Sequence, residues 1–311
     1  MKVVVFGSNG LVGSSLINNL NDSSKVTEII PSTRETVNLF SLEETKVFIN
    51  KTKPNLLINA AAKVGGIMAN NSYRTQFILD NLKINVNILE SIIDFPEIKL
   101  INLGSSCIYP LGAENPIKEN YLMTGRLEPT NSPYAMAKLT AIEMGDALSK
   151  QYGHSIVNLM PTNLYGPNDN FSEKNSHVIP GLIHRMHQAR EKNEEKFIVW
   201  GTGKPMREFL FVDDLAKAIN FIIDNEINDG ILNVGSGDEV SIEDLVLQVA
   251  KIIKFEGEII YDENFPDGNP RKLLDSTLIN NLGWKSETSL EDGLVKTYSW
   301  YKDNYDLLRR S

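Results

Sequence analysis

The first half of the chain alternates short β-branched runs with longer stretches whose apolar positions recur at helical spacing. Residues 3–6 are followed by 11–20, 26–30 by 42–50, and 56–60 by 77–93. Residues 98–103 and 156–160 continue the strands, with a long amphipathic helix predicted over 133–152 between them. The strands are continuously apolar rather than alternating, which predicts a parallel sheet covered by helices on both faces: an α/β, doubly wound (Rossmann) domain. After Pro161 the rhythm changes. A loop, Gly166-Pro167-Asn168-Asp169-Asn170, precedes a predicted helix at 177–192, strands at 197–200 and 231–234, and helices at 242–253 and 290–301. This reads as a smaller α/β C-terminal lobe interleaved with the first. The expected division is 1–163 plus about 212–235 for a dinucleotide-binding domain, and about 164–211 plus 236–311 for a substrate-binding domain.

The length of 311 residues fits two lobes at ~150 residues each, enough for a sizeable core and a cleft. With 31 Lys+Arg against 40 Asp+Glu the net charge is −9, so nucleic acid and anionic membranes are expected not to be partners. An anionic ligand then needs a local basic site. The single cysteine, Cys107, excludes an intramolecular disulfide, and with no basic-then-apolar leader at the start a reducing cytoplasm is expected. No apolar run approaches the ~20 residues of a membrane helix.

Gly7, Gly10 and Gly13 fall directly between the first predicted strand and the first helix. Glycines there permit a tight turn, let backbone N–H groups approach a pyrophosphate, and bring the helix close to the sheet. The second strand ends in Ile30-Pro31-Ser32-Thr33-Arg34, without the acid that would accept a ribose 2′-hydroxyl. Arg34 is placed either to bind a 2′-phosphate, favouring NADP, or as a solvated surface arginine. Asn59-Ala60-Ala61-Ala62 offers small residues where a nucleotide would lie against the sheet edge, or where a helix would pack.

Tyr134 and Lys138 sit at i and i+4 on one face of the predicted helix, and Ser105 lies just past the fourth strand. A tyrosine of pKa about 10 needs help to exchange protons near neutrality, and a neighbouring ammonium supplies part of it. Ser105 is suited to hydrogen-bonding a substrate carbonyl. His184 and His187 share a helix face, but no further cysteine or carboxylate cluster accompanies them, and no metal is expected.

With these motifs the chain resembles the extended short-chain dehydrogenase/reductases that act on nucleotide sugars. The likeness covers nearly the whole sequence and rests on several stretches: Lys63-Val64-Gly65-Gly66-Ile67, Gly104-Ser105-Ser106-Cys107-Ile108-Tyr109-Pro110, Pro161-Thr162-Asn163-Leu164-Tyr165-Gly166-Pro167, Asn175-Ser176-His177-Val178-Ile179-Pro180, Pro205-Met206-Arg207-Glu208-Phe209 and Pro266-Asp267-Gly268. Within that family it looks most like the members that epimerise a GDP-4-keto-6-deoxy-D-mannose at C3 and C5 and reduce its 4-ketone with NADPH.

The resemblance implies Tyr134, Ser105 and Lys138 as the reductive set, and Cys107 with His177 as the acid/base pair for epimerisation. It implies NADP(H) contacts from Ser8, Asn9, Leu11 and Val12 beside the three glycines, then from Arg34, Leu39 and Ala61. Further contacts follow from Leu103, Gly104, Ser105 and Ser106 after the fourth strand, and from Lys138. The last come from Pro161, Thr162, Asn163, Leu164 and His177. Arg185, Trp200, Arg207, Asp267 and Lys272 are implied for the GDP-sugar, where cationic groups face a pyrophosphate and arginine does so bidentately. Trp200 is either a flat face for the ligand or a core residue ending a strand.

The family's glycine turn commonly carries a basic residue where this chain has Asn9, which removes one contact to a 2′-phosphate. Relatives pair through the two long helices, here at 73–93 and 133–152, so a homodimer is implied. Two other readings share the pattern: a sugar-nucleotide 4,6-dehydratase or 4-epimerase, and a non-catalytic dinucleotide-sensing protein. The dehydratases place Asp-Glu where this chain has Ser106-Cys107, and the intact Ser105, Tyr134 and Lys138 argue against a sensor.

Overall fold

The computed structural model describes residues 1–172, 175–265 and 267–308; Pro266 of the Pro-Asp-Gly stretch and residues 309–311 lie outside it. In chain order the first lobe runs β1 (Lys2–Phe6), α1 (Leu11–Asn19), β2 (Glu28–Ser32), α2 (Leu42–Thr52), β3 (Leu56–Asn59), α3 (Ile67–Ser72), α4 (Arg74–Ser91), β4 (Lys99–Leu103), α5 (Ser132–Tyr152) and β5 (Ile156–Pro161). There follow β6 (Asn163–Tyr165), α6 (Val178–Glu191), β7 (Lys196–Trp200), β8 (Met206–Phe211), α7 (Val212–Asp224), β9 (Gly230–Val234) and β10 (Glu239–Ser241). The chain ends through α8 (Ile242–Ile253), β11 (Glu258–Asp262), β12 (Arg271–Lys272), α9 (Thr277–Leu282) and α10 (Leu290–Leu308).

Six strands form one parallel sheet in the order β2-β1-β3-β4-β5-β9. The order reverses at β1, and a crevice opens there beyond the carboxyl ends of the strands, as expected at a topological switch point. Val3, Val4, Val5 and Phe6 have no exposed surface because helices cover both faces. On one face Leu16, Leu215 and Ile219 of α1 and α7 pack onto the sheet. On the other, Ile49, Ile84, Ile88 and Ala141 of α2, α4 and α5 do the same.

The helix ends follow local chemistry. The Ser41 hydroxyl accepts the Glu44 N–H to cap α2, α5 begins with Pro133 in its first turn, and Gly153 closes α5 at φ 79°. The expected helix at 77–93 is preceded by α3, which the period does not reveal because it is a single short turn after Gly65-Gly66.

Four buried asparagines tie this layer together. In register across β3, β4 and β5, the Asn59 amide donates to Asn102 (3.3 Å) and to Asn85 of α4 (3.1 Å), and Asn102 donates to Asn158 (3.0 Å). Asn85 in turn donates to the Ala137 carbonyl of α5 at 3.3 Å. A chain of satisfied buried amides fixes α5 relative to the strand ends.

The remaining strands form smaller sheets. β8 pairs with β6, β10 and β12, and β7 pairs with β11. Their core is separate, built from Leu182, Met186, Phe197, Phe211, Val249 and Tyr301 on α6, α8, α10 and the strands between. α10 runs past the expected 301 to Leu308. Among the described residues, no helix is long and apolar enough to cross a membrane.

Candidate active site

A cavity of about 1010 Å³ spans the mouth of the large sheet and the smaller lobe, at the top of the range usual for ligand pockets. One end is made of backbone. Gly7 has φ 78°, and a Cβ there would lie 2.8 Å from the Ala61 backbone; one on Gly13 would lie 2.1 Å from the Gly7 carbonyl oxygen. Gly10 precedes α1 with no side-chain cap, and a Cβ on it would meet only the Gly7 oxygen at 3.5 Å. The free N–H groups of the first turn of α1 therefore face an open cradle, which fits a dinucleotide pyrophosphate. Asn9, Leu11, Val12, exposed Arg34, Leu39 and Ala61 line this end. Ser8 and Gly13 do not line the cavity. Ser8 is buried with its hydroxyl on the Ser32 carbonyl (3.1 Å), and Gly13 packs against the turn, so both shape it from behind.

The middle is set by β4 and α5. Past β4, the Ser105 hydroxyl accepts the Cys107 N–H at 3.2 Å and caps a single 3₁₀ turn, which turns Cys107 toward the cavity that Ser105 and Ser106 also line. From α5 come Tyr134 and buried Lys138, whose ammonium donates to the Leu103 carbonyl at 2.6 Å. Burial pulls Lys138 down to about 8. Burial pushes Tyr134 well above the ordinary phenol range, the nearby Cys107 charge adds to the rise, and the Ser105 hydroxyl works against it. The sequence-based picture of Lys138 easing the phenol toward phenolate therefore changes. The ammonium donates to the Leu103 carbonyl and lies 5.9 Å from the centre of the Tyr134 ring, while burial favours the neutral phenol.

Burial pushes the pKa of His177, just before α6, below the ordinary imidazole value, and a backbone hydrogen bond with Gly65 works against it. Pro161, Thr162, Asn163, Leu164 and Gly104 complete the wall. The Glu208 carbonyl accepts from Thr162 (3.2 Å) and Asn163 (2.8 Å), and its buried carboxylate accepts the Gly237 and Leu274 N–H groups.

The far end belongs to the smaller lobe. Trp200 is 43% exposed and stacks on Phe265 at 4.9 Å, so it is a rim residue and not a core one. The Arg185 guanidinium lies 4.8 Å from the Trp200 ring centre. The Asp267 carboxylate accepts both the N–H (2.7 Å) and the hydroxyl (2.8 Å) of Thr202, while the Arg207 guanidinium donates to the Met206 and Asp267 carbonyls. Lys272 of β12 does not itself line the cavity; its Nζ lies 3.4 Å from the sulfur of Cys107, which does.

Sequence reasoning passed over three groups on this wall. Asn70 Oδ1, Asn131 Oδ1 and Asp169 Oδ2 are buried acceptors without a partner among the described residues. Burial pushes Asp169 up to about 7. Asp169 stood in the Gly/Asn/Pro loop, where an aspartate reads as turn chemistry. Among the described residues no group of three His, Cys, Asp or Glu is placed to hold a metal ion.

The NAD dependent epimerase/dehydratase family matches residues 3–235. GDP-L-fucose synthase 1 of Arabidopsis thaliana is 46% identical over 97% of this chain and 94% of its own length. GDP-L-fucose synthase of Escherichia coli K12 is 42% identical over 99% and 98%. The chain belongs to the GDP-L-fucose synthases of that family. A GDP-L-fucose synthetase of Naegleria fowleri, solved bound to NADP, has the same fold at a TM-score of 0.90, with 28% identity over 98% of this chain and 93% of that one.

Proposed function

We propose that this chain converts GDP-4-keto-6-deoxy-D-mannose to GDP-L-fucose with NADPH, inverting C3 and C5 and then reducing the 4-ketone. The observation that carries this reading is one cavity shared by a thiol, an imidazole and a phenol: Cys107, His177 and Tyr134 line the same space, beside the glycine cradle. Relatives of that name, 42–46% identical over nearly the full length, support it.

Epimerisation removes a proton next to the ketone and returns one to the opposite face. Cys107 and His177 form the pair. As one takes the proton, the C–H electron pair becomes the C=C bond of an enolate and the C=O π pair moves onto the oxygen; the other group then delivers a proton to that carbon from across the ring and the C=O bond re-forms. Ser105 and the protonated Tyr134 donate hydrogen bonds to that oxygen while it carries enolate charge. Reduction uses the same donors. Bound NADPH supplies the hydride, and Tyr134 gives its proton to the oxygen of C4.

Gly7, Gly10 and the N–H groups of α1 would hold the pyrophosphate, Arg34 the 2′-phosphate and Lys138 the ribose beside the nicotinamide. The smaller lobe, about 164–211 plus 236–311, takes the GDP-sugar through Arg185, Trp200, Arg207, Asp267 and Lys272. The protein works as a cytoplasmic homodimer paired across α4 and α5, whose outer faces expose Leu79 and Met136. Its single cysteine is consistent with that reducing compartment.

Purified protein is expected to consume NADPH only when given GDP-4-keto-6-deoxy-D-mannose, with GDP-L-fucose identified by mass and NMR. Folded protein that binds NADPH and consumes none rejects the proposal. Consumption with C3 and C5 retained leaves a reductase and removes Cys107 and His177 from the chemistry. Size-exclusion chromatography with light scattering tests the dimer.

A further inference from the structure

We propose that Lys272 is a positioning residue for epimerisation: its ammonium, 3.4 Å from the Cys107 sulfur, stabilises the thiolate form of that side chain. This rests on the reading of Cys107 as half of the acid/base pair, and it adds a role to a lysine otherwise expected only on the sugar nucleotide.

The placement comes from the small sheet. β12 pairs in parallel with β8, with Lys272 opposite Arg207, so two neighbouring strands present two cations to the 3₁₀ turn that carries Cys107. The two cations differ in what they already hold. Arg207 donates to the Met206 and Asp267 carbonyls, and Asp267 and Cys107 together favour its charged form against burial. Among the described residues, the one hydrogen bond of the Lys272 ammonium is to the sulfur. The other titratable groups on this side of the space are Tyr134 from α5, which feels the Cys107 charge, His177 ahead of α6, and the Asp267 carboxylate beside Arg207. Asp267 is a carboxylate, but it accepts from Thr202 and acts on Arg207, so Lys272 is the cation hydrogen-bonded to the sulfur.

The chemistry makes use of this. Whichever way the pair runs, Cys107 alternates between S–H and S⁻. The S–H bond forms as the C–H bond beside the ketone breaks, its electron pair becoming the C=C bond while the C=O π pair moves onto the enolate oxygen, or it breaks as the proton passes to the ring carbon and the C=O bond re-forms. An ammonium at this distance favours S⁻ over S–H and itself transfers no proton.

Cys107 is the chain's only cysteine, so its alkylation can be read without background. The full-length protein loaded with NADP⁺ is treated with iodoacetamide from pH 6 to 10, as wild type, Lys272→Met, Lys272→Gln and Lys272→Arg. The methionine and glutamine variants are expected to alkylate about tenfold more slowly than wild type at pH 7, converging with it at pH 10. The arginine variant is expected to stay within about twofold of wild type. β12 pairs through its backbone, so either neutral variant should fold; if the methionine variant does not, the glutamine variant carries the test. Unchanged alkylation at all pH values in a folded neutral variant overturns the proposal, and so does a rise in KM for the sugar nucleotide as the sole change. The alkylation readout needs no substrate. Failure of the epimerase/reductase reading in the NADPH assay is therefore distinguishable from failure of this one.

Discussion

The two ends of the cavity are built from different material. The glycine-turn end is backbone: a turn with φ 78° at Gly7, the open N-terminus of α1, and close approaches at Gly7 and Gly13 that tolerate no Cβ. The other end is side chains delivered from far apart in sequence: Cys107, His177 and Arg207 line it, and Lys272 lies against the Cys107 sulfur. A backbone site is fixed by a few glycines within one turn. A side-chain site needs every supporting strand in register, and each of its members can be altered singly.

That contrast sets expectations for mutation. At the side-chain end, Tyr134→Phe should lower kcat for the 4-keto sugar by about 10²–10⁴ and leave NADPH affinity within about twofold, because the proton donor is lost while the cradle stays. Steady-state kinetics beside NADPH fluorescence titration measures both; a matching loss of cofactor affinity would make Tyr134 part of the cradle. Cys107→Ser should slow solvent-deuterium exchange at C3 and C5 by about 100-fold, and reduction of a pre-epimerised ketone by less than about tenfold. Equal losses by NMR would make Cys107 structural.

At the backbone end a single methyl group should matter. Gly13→Ala puts a Cβ 2.1 Å from the Gly7 oxygen and should cost about 1–3 kcal/mol of stability by thermal or urea unfolding, with NADPH binding weakened more than GDP binding. Unchanged stability would mean that the turn relaxes freely.

Asp169 gives an effect of similar size that depends on pH. Its folded pKa is raised from 3.8 to about 7 by burial, so the native state holds a proton that the unfolded chain releases. Its contribution to stability is full below about pH 4 and is lost as pH rises through 7. Asp169→Asn should therefore be more stable than wild type at pH 8, by about 1–3 kcal/mol, with the gap closing toward pH 4. Unfolding free energies of both proteins across that range check the sign; a gap that widens on acidification contradicts it. The smallest effect is expected from Asn9→Arg, which adds one cation near the 2′-phosphate position. Preference for NADPH over NADH should rise by about five- to tenfold, read as the ratio of the two kcat/KM values.

The sheet was legible in the sequence because its strands are buried on both faces and so are continuously apolar. Residues 3–6, 56–60 and 156–160 all lie within a residue of observed strands. β6, β10, β11 and β12 went unread because they are short or partly solvated, and β8 because Arg207 and Glu208 interrupt its apolar run. α3, one short turn beyond the paired glycines, left no period to read. At the site, Tyr134 and Lys138 were legible from helical spacing, and the glycine turn from its place after β1. Asp169 was not, since an aspartate in a Gly/Asn/Pro loop looks like any turn residue until its surroundings are known.

By itself the sequence determined the doubly wound sheet, the glycine cradle and the residue types available for chemistry, since each follows from local periodicity or a contiguous motif. Only the tertiary structure decided what those groups are bonded to. Lys138 lies on the Leu103 carbonyl, Asp267 on Thr202, Trp200 on Phe265 and Lys272 on the Cys107 sulfur. The reason is physical: burial and partners at a distance set a side chain's charge and direction, and they exist only once strands far apart in the chain have come into register.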